Sequence, residues 1–412
     1  VAWLVTIVAI VPRVWFAVDQ HPPGLFIGAD MAMYAERAEH LRKDALGPAD
    51  TMTPPGFPLL LALLQVVSPR GWADLLAWAH ALLGAATCGL VYLIGRRVSA
   101  SPAVALAASL VAALYVPLIF YGGFVLSETL FAFAVTLSAW LVLRAADVPS
   151  WRRCAAAGLC MGAAAVVHAN FAAGLALLFV FDRRIAVRVA LCALLPIALA
   201  CAFASHLVGH LVGISTNGGV NFFLAHSDWR SACFPASDAI QCIVPRPNAL
   251  REGPVYVSPG EAWNDHAFYM LGLKSIVSHP LRLLVDGRNV TSGLGLTSLD
   301  YYPGWMAHPT LLHAFSRSFF WVALLPAAIR AAMLARRGAL LESKARFWLW
   351  LLVGQAIAIL YLYLGDPRIR VPFDPLCLVL AADAWTAFAQ WVFYALQGRE
   401  ASAVDPSGVM PD

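Results

Sequence analysis

Charge is scarce in this sequence. Of its 412 residues, 13% are Asp, Glu, Lys or Arg and 60% are hydrophobic, with a mean hydropathy of +0.71. Soluble domains carry about 25% charge and about 45–50% apolar residues, so the excess here has no single interior to fill, and a soluble enzyme is excluded. Disorder is excluded as well, because disordered chains combine low hydrophobicity with high charge. The sequence also lacks the CxxC pairs of a zinc site and any glycine-rich loop that would cradle a nucleotide phosphate. No Ser/His/Asp spacing stands out, and no pair of matching halves marks the inverted repeats of a transporter. A cleavable leader is missing too: VAWLVTIVAIVPRVWFAV has no small-residue cleavage site and runs into Asp19, so it reads as a first spanning helix. Its lack of Met and of a basic flank points to a slightly clipped start.

Long apolar runs are what the sequence has in plenty. With about 20 residues per crossing, spans are expected near 1–19, 72–95, 102–121, 128–146, 154–169, 170–182, 187–210, 316–334, 346–364 and 371–394. The fold class is therefore an all-α polytopic membrane protein of about ten transmembrane helices. The runs at 154–169 and 170–182 are short and suggest a tight hairpin or little tilt. Two long polar segments interrupt the pattern. The chain divides into an N-terminal transmembrane module over 1–210 that contains the first of them (20–71), a loop region with interfacial helices over 211–315, C-terminal helices over 316–394 and a tail over 395–412.

Orientation follows from where Lys and Arg collect. The short connections and the tail hold fourteen basic residues, among them Arg96, Arg97, Arg152, Arg153, Arg183, Arg184, Arg336 and Arg337, against six acids. That side is cytoplasmic by the positive-inside rule, with both termini, and both long segments face outward. Six of the eight cysteines fall in spans, where Cys behaves as a small hydrophobe. Cys233 and Cys242 lie in the outward stretch CFPASDAIQC, where an oxidising compartment predicts a disulfide.

The first outward segment contains HPPGLFIGADMAMYAERAEHLRKDALGPADTMTPPGFPLLLALL. From Asp30, the apolar Met31, Tyr34, Ala38 and Leu41 recur at helical spacing while Glu36, Arg37, Glu39, Arg42 and Lys43 fill the other faces, which predicts an amphipathic helix along the membrane surface. PPGFPLLLALLQVV reads as a second interfacial helix, too short to cross. Asp30 stands at the start of the first helix, either as an N-cap or as a carboxylate placed to take a proton from an incoming hydroxyl or amine.

The order of an apolar helix, GADMAMYAERAEHL and TPPGFPLLLALL resembles the opening of the GT-C fold membrane glycosyltransferases of the protein O-mannosyltransferase and lipid A aminoarabinose transferase superfamily. In that superfamily an Asp after the first span precedes a Tyr-containing interfacial helix and a Pro-rich element, and Asp30, Tyr34 and Pro54-Pro55-Gly56-Phe57-Pro58 occupy those positions. Met31 stands where many members carry a second acid, a departure that weighs against a paired-carboxylate or metal-assisted reaction.

Further matches follow along the chain. YGGFVLSETLFAF puts Glu128 at the outward mouth of a span, where superfamily members often have Ser-Glu. A carboxylate in hydrocarbon costs roughly 2.5–3.5 kcal/mol, so Glu128 faces the bundle, as an N-cap, as a partner for an Arg, or against a sugar. GDPRIRVPFDP resembles the late Arg-x-x-x-Pro-x-x-Pro element through Arg368, Pro372 and Pro375. Arg368 and Arg370 offer planar, always-charged forks suited to a lipid phosphate, or to ion pairs with Asp366 or Asp374. GISTNGGVNFF makes Asn217 and Asn221 candidates for substrate contacts, although Asn-Gly also suits a turn. His206 and His210 have the i, i+4 spacing of metal ligands, but no third ligand follows.

The resemblance implies an inverting transfer of a sugar from a polyprenyl-phosphate donor to an extracytoplasmic acceptor at a bacterial cytoplasmic membrane. Asp30 would be the general base, Glu128, Tyr34, Asn217 and Asn221 would bind substrate, and Arg368 and Arg370 would bind the lipid phosphate. No cofactor is required and no nucleic-acid partner is expected; no metal ligands are assigned, and a divalent metal is left open without support in the sequence. The competing reading is a transporter or flippase of a lipid-linked glycan.

Overall fold

The computed structural model describes residues 1–25, 27–28, 30–99, 101–227, 264–296, 309–363 and 365–397. Cys233, Cys242 and their expected disulfide lie outside these residues. Among the described residues the chain is helical throughout, without strands. Helix α1 (Ala2–Val14) continues through a π-turn (Trp15–Gln20), and α2 (Asp30–Lys43) and α3 (Gly56–Val67) form the first outward segment. Then come α4 (Trp72–Val98), α5 (Pro102–Leu114), α6 (Val116–Phe120), α7 (Glu128–Asp147), α8 (Trp151–Val167), α9 (Gly174–Phe181) and α10 (Arg183–Val208). The second outward segment holds α11 (Gly218–Ala225), α12 (Asp265–Ser278), α13 (Arg282–Val285) and α14 (Gly287–Gly293). The chain closes with α15 (Pro309–Phe319), α16 (Leu325–Arg336), α17 (Lys344–Leu362), α18 (Pro367–Arg370) and α19 (Asp374–Leu396).

Among the described residues seven helices are long and apolar enough to cross a membrane, or eight if the pair α5 and α6, bent by 51°, is counted as one span. The two short runs expected over 154–182 correspond to α8, of 17 residues, and the apolar stretch Ala169–Phe181. At 1.5 Å per residue, α8 is about 26 Å long, just short of a hydrocarbon core of about 30 Å. The side chains fit a lipid environment. Trp3, Leu4, Ile7 and Val11 on α1, and Leu191, Leu195 and Leu199 on α10, are exposed in runs that water would not tolerate. The protein is a multi-pass membrane protein.

Close helix contact requires small residues. A Cβ on Gly158 or Gly162 of α8 would collide with the carbonyls of Val189 or Ala193 on α10, the small-xxx-small packing that lets membrane helices approach.

Arg13 of α1 is 1% exposed inside the bundle. The reason is the break between α5 and α6. Pro117 has no N–H to offer the carbonyl of Ala113, and the chain is extended at Tyr115. Arg13 donates to the carbonyls of Ala113 (3.0 Å) and Ala112 (3.1 Å), so one guanidinium caps the interrupted helix within the hydrocarbon region. The histidine pair also differs from expectation. α10 ends at Val208 and Gly209 takes the left-handed conformation (φ +83°), so His210 leaves the helix face on which His206 lies.

Candidate active site

Three segments far apart in sequence deliver charge to one place at one end of the bundle. Asp30 is the first residue of α2, with the N–H of Met31 bonded to the carbonyl of Gly28 (3.0 Å). Glu128 is the first residue of α7, placed by the turn Tyr121–Gly123. Two imidazoles fix that turn: His80 donates through Nδ1 to the carbonyl of Gly122 (3.2 Å), and His21 through Nδ1 to that of Gly123 (2.9 Å). Gly123 has no room for a side chain, since a Cβ would press on the Phe16 ring and the His21 carbonyl. Arg368 lies in α18, a single turn set up by the N-cap Asp366, whose carboxylate accepts the Arg368 N–H (2.8 Å), and by Pro367 at the first helical position.

The Arg368 guanidinium joins the other two. Its Nη1 donates to Asp30 Oδ2 at 2.5 Å and its Nε to Glu128 Oε1. The side chains differ in access: Glu128 is 1% exposed, Arg368 13% and Asp30 30%. The second oxygen of Glu128, Oε2, is buried without a hydrogen-bond partner. Asp30 is thus the carboxylate that a molecule arriving from outside can meet, and Glu128 is held behind the arginine.

Neighbouring groups shape the field. Burial, together with the Glu128 and Asp30 carboxylates, pushes the Asp366 carboxyl up to about 6 against the opposing pull of Arg368. Tyr34 is buried edge-on to Phe57 (5.1 Å between centroids), and that burial pushes its phenol up to about 12, so it keeps its proton at neutral pH. His168, which the sequence did not single out, stacks on Phe131 (4.6 Å) within electrostatic reach of Glu128 and Arg368.

The remaining sequence-derived residues lie elsewhere. Arg370 is 3% exposed; its Nε bonds Asp374 Oδ1 (3.0 Å) and its guanidinium lies 4.1 Å over the Phe319 ring. Tyr115 donates to the other oxygen of Asp374 (2.8 Å). Arg370 therefore fits the ion-pair reading with Asp374, whose carboxylate already matches its charge. Asn217 stands at the N-cap position of α11 without a side-chain capping bond and accepts from Ser215 Oγ (3.2 Å), and Asn221 follows one turn later. Their segment is tied to the first outward segment through Thr216 and Thr51, N–H to carbonyl at 2.9 Å and hydroxyl to hydroxyl at 3.0 Å. Neither asparagine bonds Asp30, Glu128 or Arg368.

Arg37 is the residue that helical patterning misplaced. Expected on the polar face of α2, it is 3% exposed and shares the buried face with Met31, Tyr34 and Ala38. Seven residues after Asp30 the helix has made nearly two full turns, so a charge at that position points inward. Apolar periodicity alone assigns it to solvent because it scores the residue type and not its angle.

No protein-family model matches the sequence, and no curated protein matches it. Solved structures do. An oligosaccharyltransferase, AglB, from the archaeon Archaeoglobus fulgidus, in complex with an inhibitory peptide and a dolichol-phosphate, is 16% identical with a TM-score of 0.52 over 96% of this chain and 51% of its own. The same enzyme tethered to an acceptor peptide is 15% identical with a TM-score of 0.50 over 99% and 54%. ArnT from Cupriavidus metallidurans, bound to undecaprenyl phosphate, superposes at 0.41 and 15% identity over 96% and 79%, too loosely to carry weight. The chain spans about half the length of the AglB structures it matches. What it shares with them is the fold, and that fold is the GT-C fold of membrane glycosyltransferases.

Proposed function

We propose that this protein is a GT-C glycosyltransferase that moves a sugar from a polyprenyl-phosphate donor to an extracytoplasmic acceptor, with inversion at the anomeric carbon. One observation supports this most: the convergence of Asp30, Arg368 and Glu128 from three separate segments, with only Asp30 substantially accessible. A single arginine holding two carboxylates fixes the accessible one in direction, as a general base requires before its basicity matters.

In the reaction, an acceptor hydroxyl or amine attacks the anomeric carbon as its proton passes to Asp30. The bond between that carbon and the phosphate oxygen breaks, and the lipid phosphate leaves with the bonding pair. Arg368 keeps Asp30 aligned for that transfer. Tyr34, with its proton held, donates a hydrogen bond toward the sugar or the phosphate, and Asn217 and Asn221 supply further polar contacts from the second outward segment. Because the leaving group is a phosphate monoester facing fixed cations, this scheme adds no cofactor. The membrane is a bacterial cytoplasmic membrane with the site on its outer face, consistent with the Lys and Arg distribution.

The test is transfer of label from a radiolabelled polyprenyl-phosphate sugar in membranes containing the protein. Transfer to a cell-envelope acceptor by wild type is the expected result. Movement of the labelled lipid between leaflets without any transfer would instead make the protein a transporter of lipid-linked glycans.

A further inference from the structure

We propose that the Arg37 guanidinium is a phosphate site, holding the phosphate of the lipid-linked donor on the same face of α2 from which Asp30 meets the acceptor. This rests on the glycosyltransferase reading above and assigns within it the group that receives the departing charge.

Arg368 is already engaged. Its charge is matched by two carboxylates, Asp30 and Glu128. A phosphate arriving there would meet both at contact distance, with a net negative field. The leaving phosphate therefore needs a cation that is not already matched. Among the described residues Arg37 is a buried cation of that kind. It is 3% exposed, and its protein hydrogen bonds are those of Nη1 alone, to the carbonyl and the hydroxyl of Thr53, the latter at 2.7 Å. Among the described residues Nε is buried without a partner and no carboxylate pairs with the guanidinium. The acid that acts on it electrostatically, Asp50, is engaged with His40 (3.0 Å) and the Gly47 N–H (2.8 Å).

Burying a guanidinium without a counter-ion is costly unless something supplies the charge and accepts the open donors. A phosphate does both, since its oxygens match the planar fork in a bidentate way. Burial holds Arg37 down to about 10, so it is fully cationic at neutral pH. Position agrees with chemistry. Seven residues of helix separate Arg37 from Asp30, roughly 10 Å along the axis and within about 20° of the same face. Tyr34, a proton-bearing phenol, lies between them. A sugar bridging base and leaving group would thus lie along α2, acceptor side at Asp30 and phosphate side at Arg37.

The experiment measures ligand-induced thermal stabilisation of the full-length protein in detergent, using a long-chain polyprenyl monophosphate, inorganic phosphate and an anionic phospholipid as probes. Polyprenyl monophosphate is expected to stabilise wild type and Asp30→Asn alike, with inorganic phosphate and the phospholipid ineffective at the same concentration. Arg37→Gln should need at least tenfold more polyprenyl phosphate. Thr53→Asp covers the case in which Arg37→Gln does not fold: it keeps the guanidinium but gives it a carboxylate, and should weaken phosphate binding at least tenfold while leaving or raising the melting temperature without ligand. Wild-type affinity in either folded variant overturns the Arg37 site and leaves the glycosyltransferase reading standing. Equal stabilisation by inorganic phosphate overturns the lipid-linked source. A wild-type protein that binds no polyprenyl phosphate overturns the glycosyltransferase reading itself.

Discussion

Arg368 is one cation doing the work of a hinge pin between two carboxylates that belong to different helices. Removing its charge would leave Glu128, 1% exposed, without a counter-ion, and breaking a buried pair in this way costs about 3–5 kcal/mol. Arg368→Ala should therefore lose stability on that scale in detergent melts. Arg368→Lys should stay folded but lose transfer by at least tenfold, because one ammonium cannot span both acids as a planar fork does. Asp366 offers a pH test. Its carboxyl is raised from an ordinary value near 3.8 to about 6 in the fold, so between those values the folded chain binds more protons than the unfolded one and stability falls as pH rises. Asp366→Asn should flatten that fall between about pH 4 and pH 6 in a melting-temperature profile. At this scale much was legible in the sequence. Asp30, Glu128 and Arg368 are each a charge at the edge of an apolar run, where a charge needs a reason. Arg37 was not legible, because on a helix already rich in Glu, Arg and Lys one more arginine looks like solvent-facing decoration. Arg370 looked equivalent to Arg368 two residues earlier, and only the turn of α18 sends it to Asp374 instead.

The elements themselves followed from apolar periodicity and punctuation. α3 begins in its run of prolines and α2 begins at Asp30, as the residues suggested. The break between α5 and α6 is marked by Pro117, but its partner is not. Nothing in VAIVPRVWF says that Arg13 will reach across to two carbonyls of another helix, since that depends on how α1 and α5 pack. Leaving two carbonyls unsatisfied costs about 1–3 kcal/mol each. Arg13→Leu should therefore destabilise the protein by about 2–6 kcal/mol, read as a lowered melting temperature and loss of monodispersity in detergent. Gly162→Leu should act similarly through the α8–α10 contact, where no side chain fits.

For the whole molecule, sequence gave the helical class and the order of the crossings, while lengths and bends came from packing. The third expected span is two helices at 51°, and the short pair over 154–182 remains short. The side assignment is testable independently of activity. His279→Cys, exposed after α12, should react with a membrane-impermeant maleimide in intact cells, whereas Glu342→Cys, exposed between α16 and α17, should react after permeabilisation only. The reverse pattern would put the Asp30 site on the cytoplasmic side.

The central claim is that the accessible carboxylate of Asp30 accepts the acceptor's proton as the lipid phosphate departs. Its most direct measurement is the single-turnover rate of polyprenyl-phosphate release from a labelled donor, with acceptor present, by purified wild type and by Asp30→Asn. Asp30→Asn keeps the size of the side chain and should still bind donor, while release falls by at least a hundredfold. A folded Asp30→Asn protein that releases polyprenyl phosphate at the wild-type rate would contradict the account.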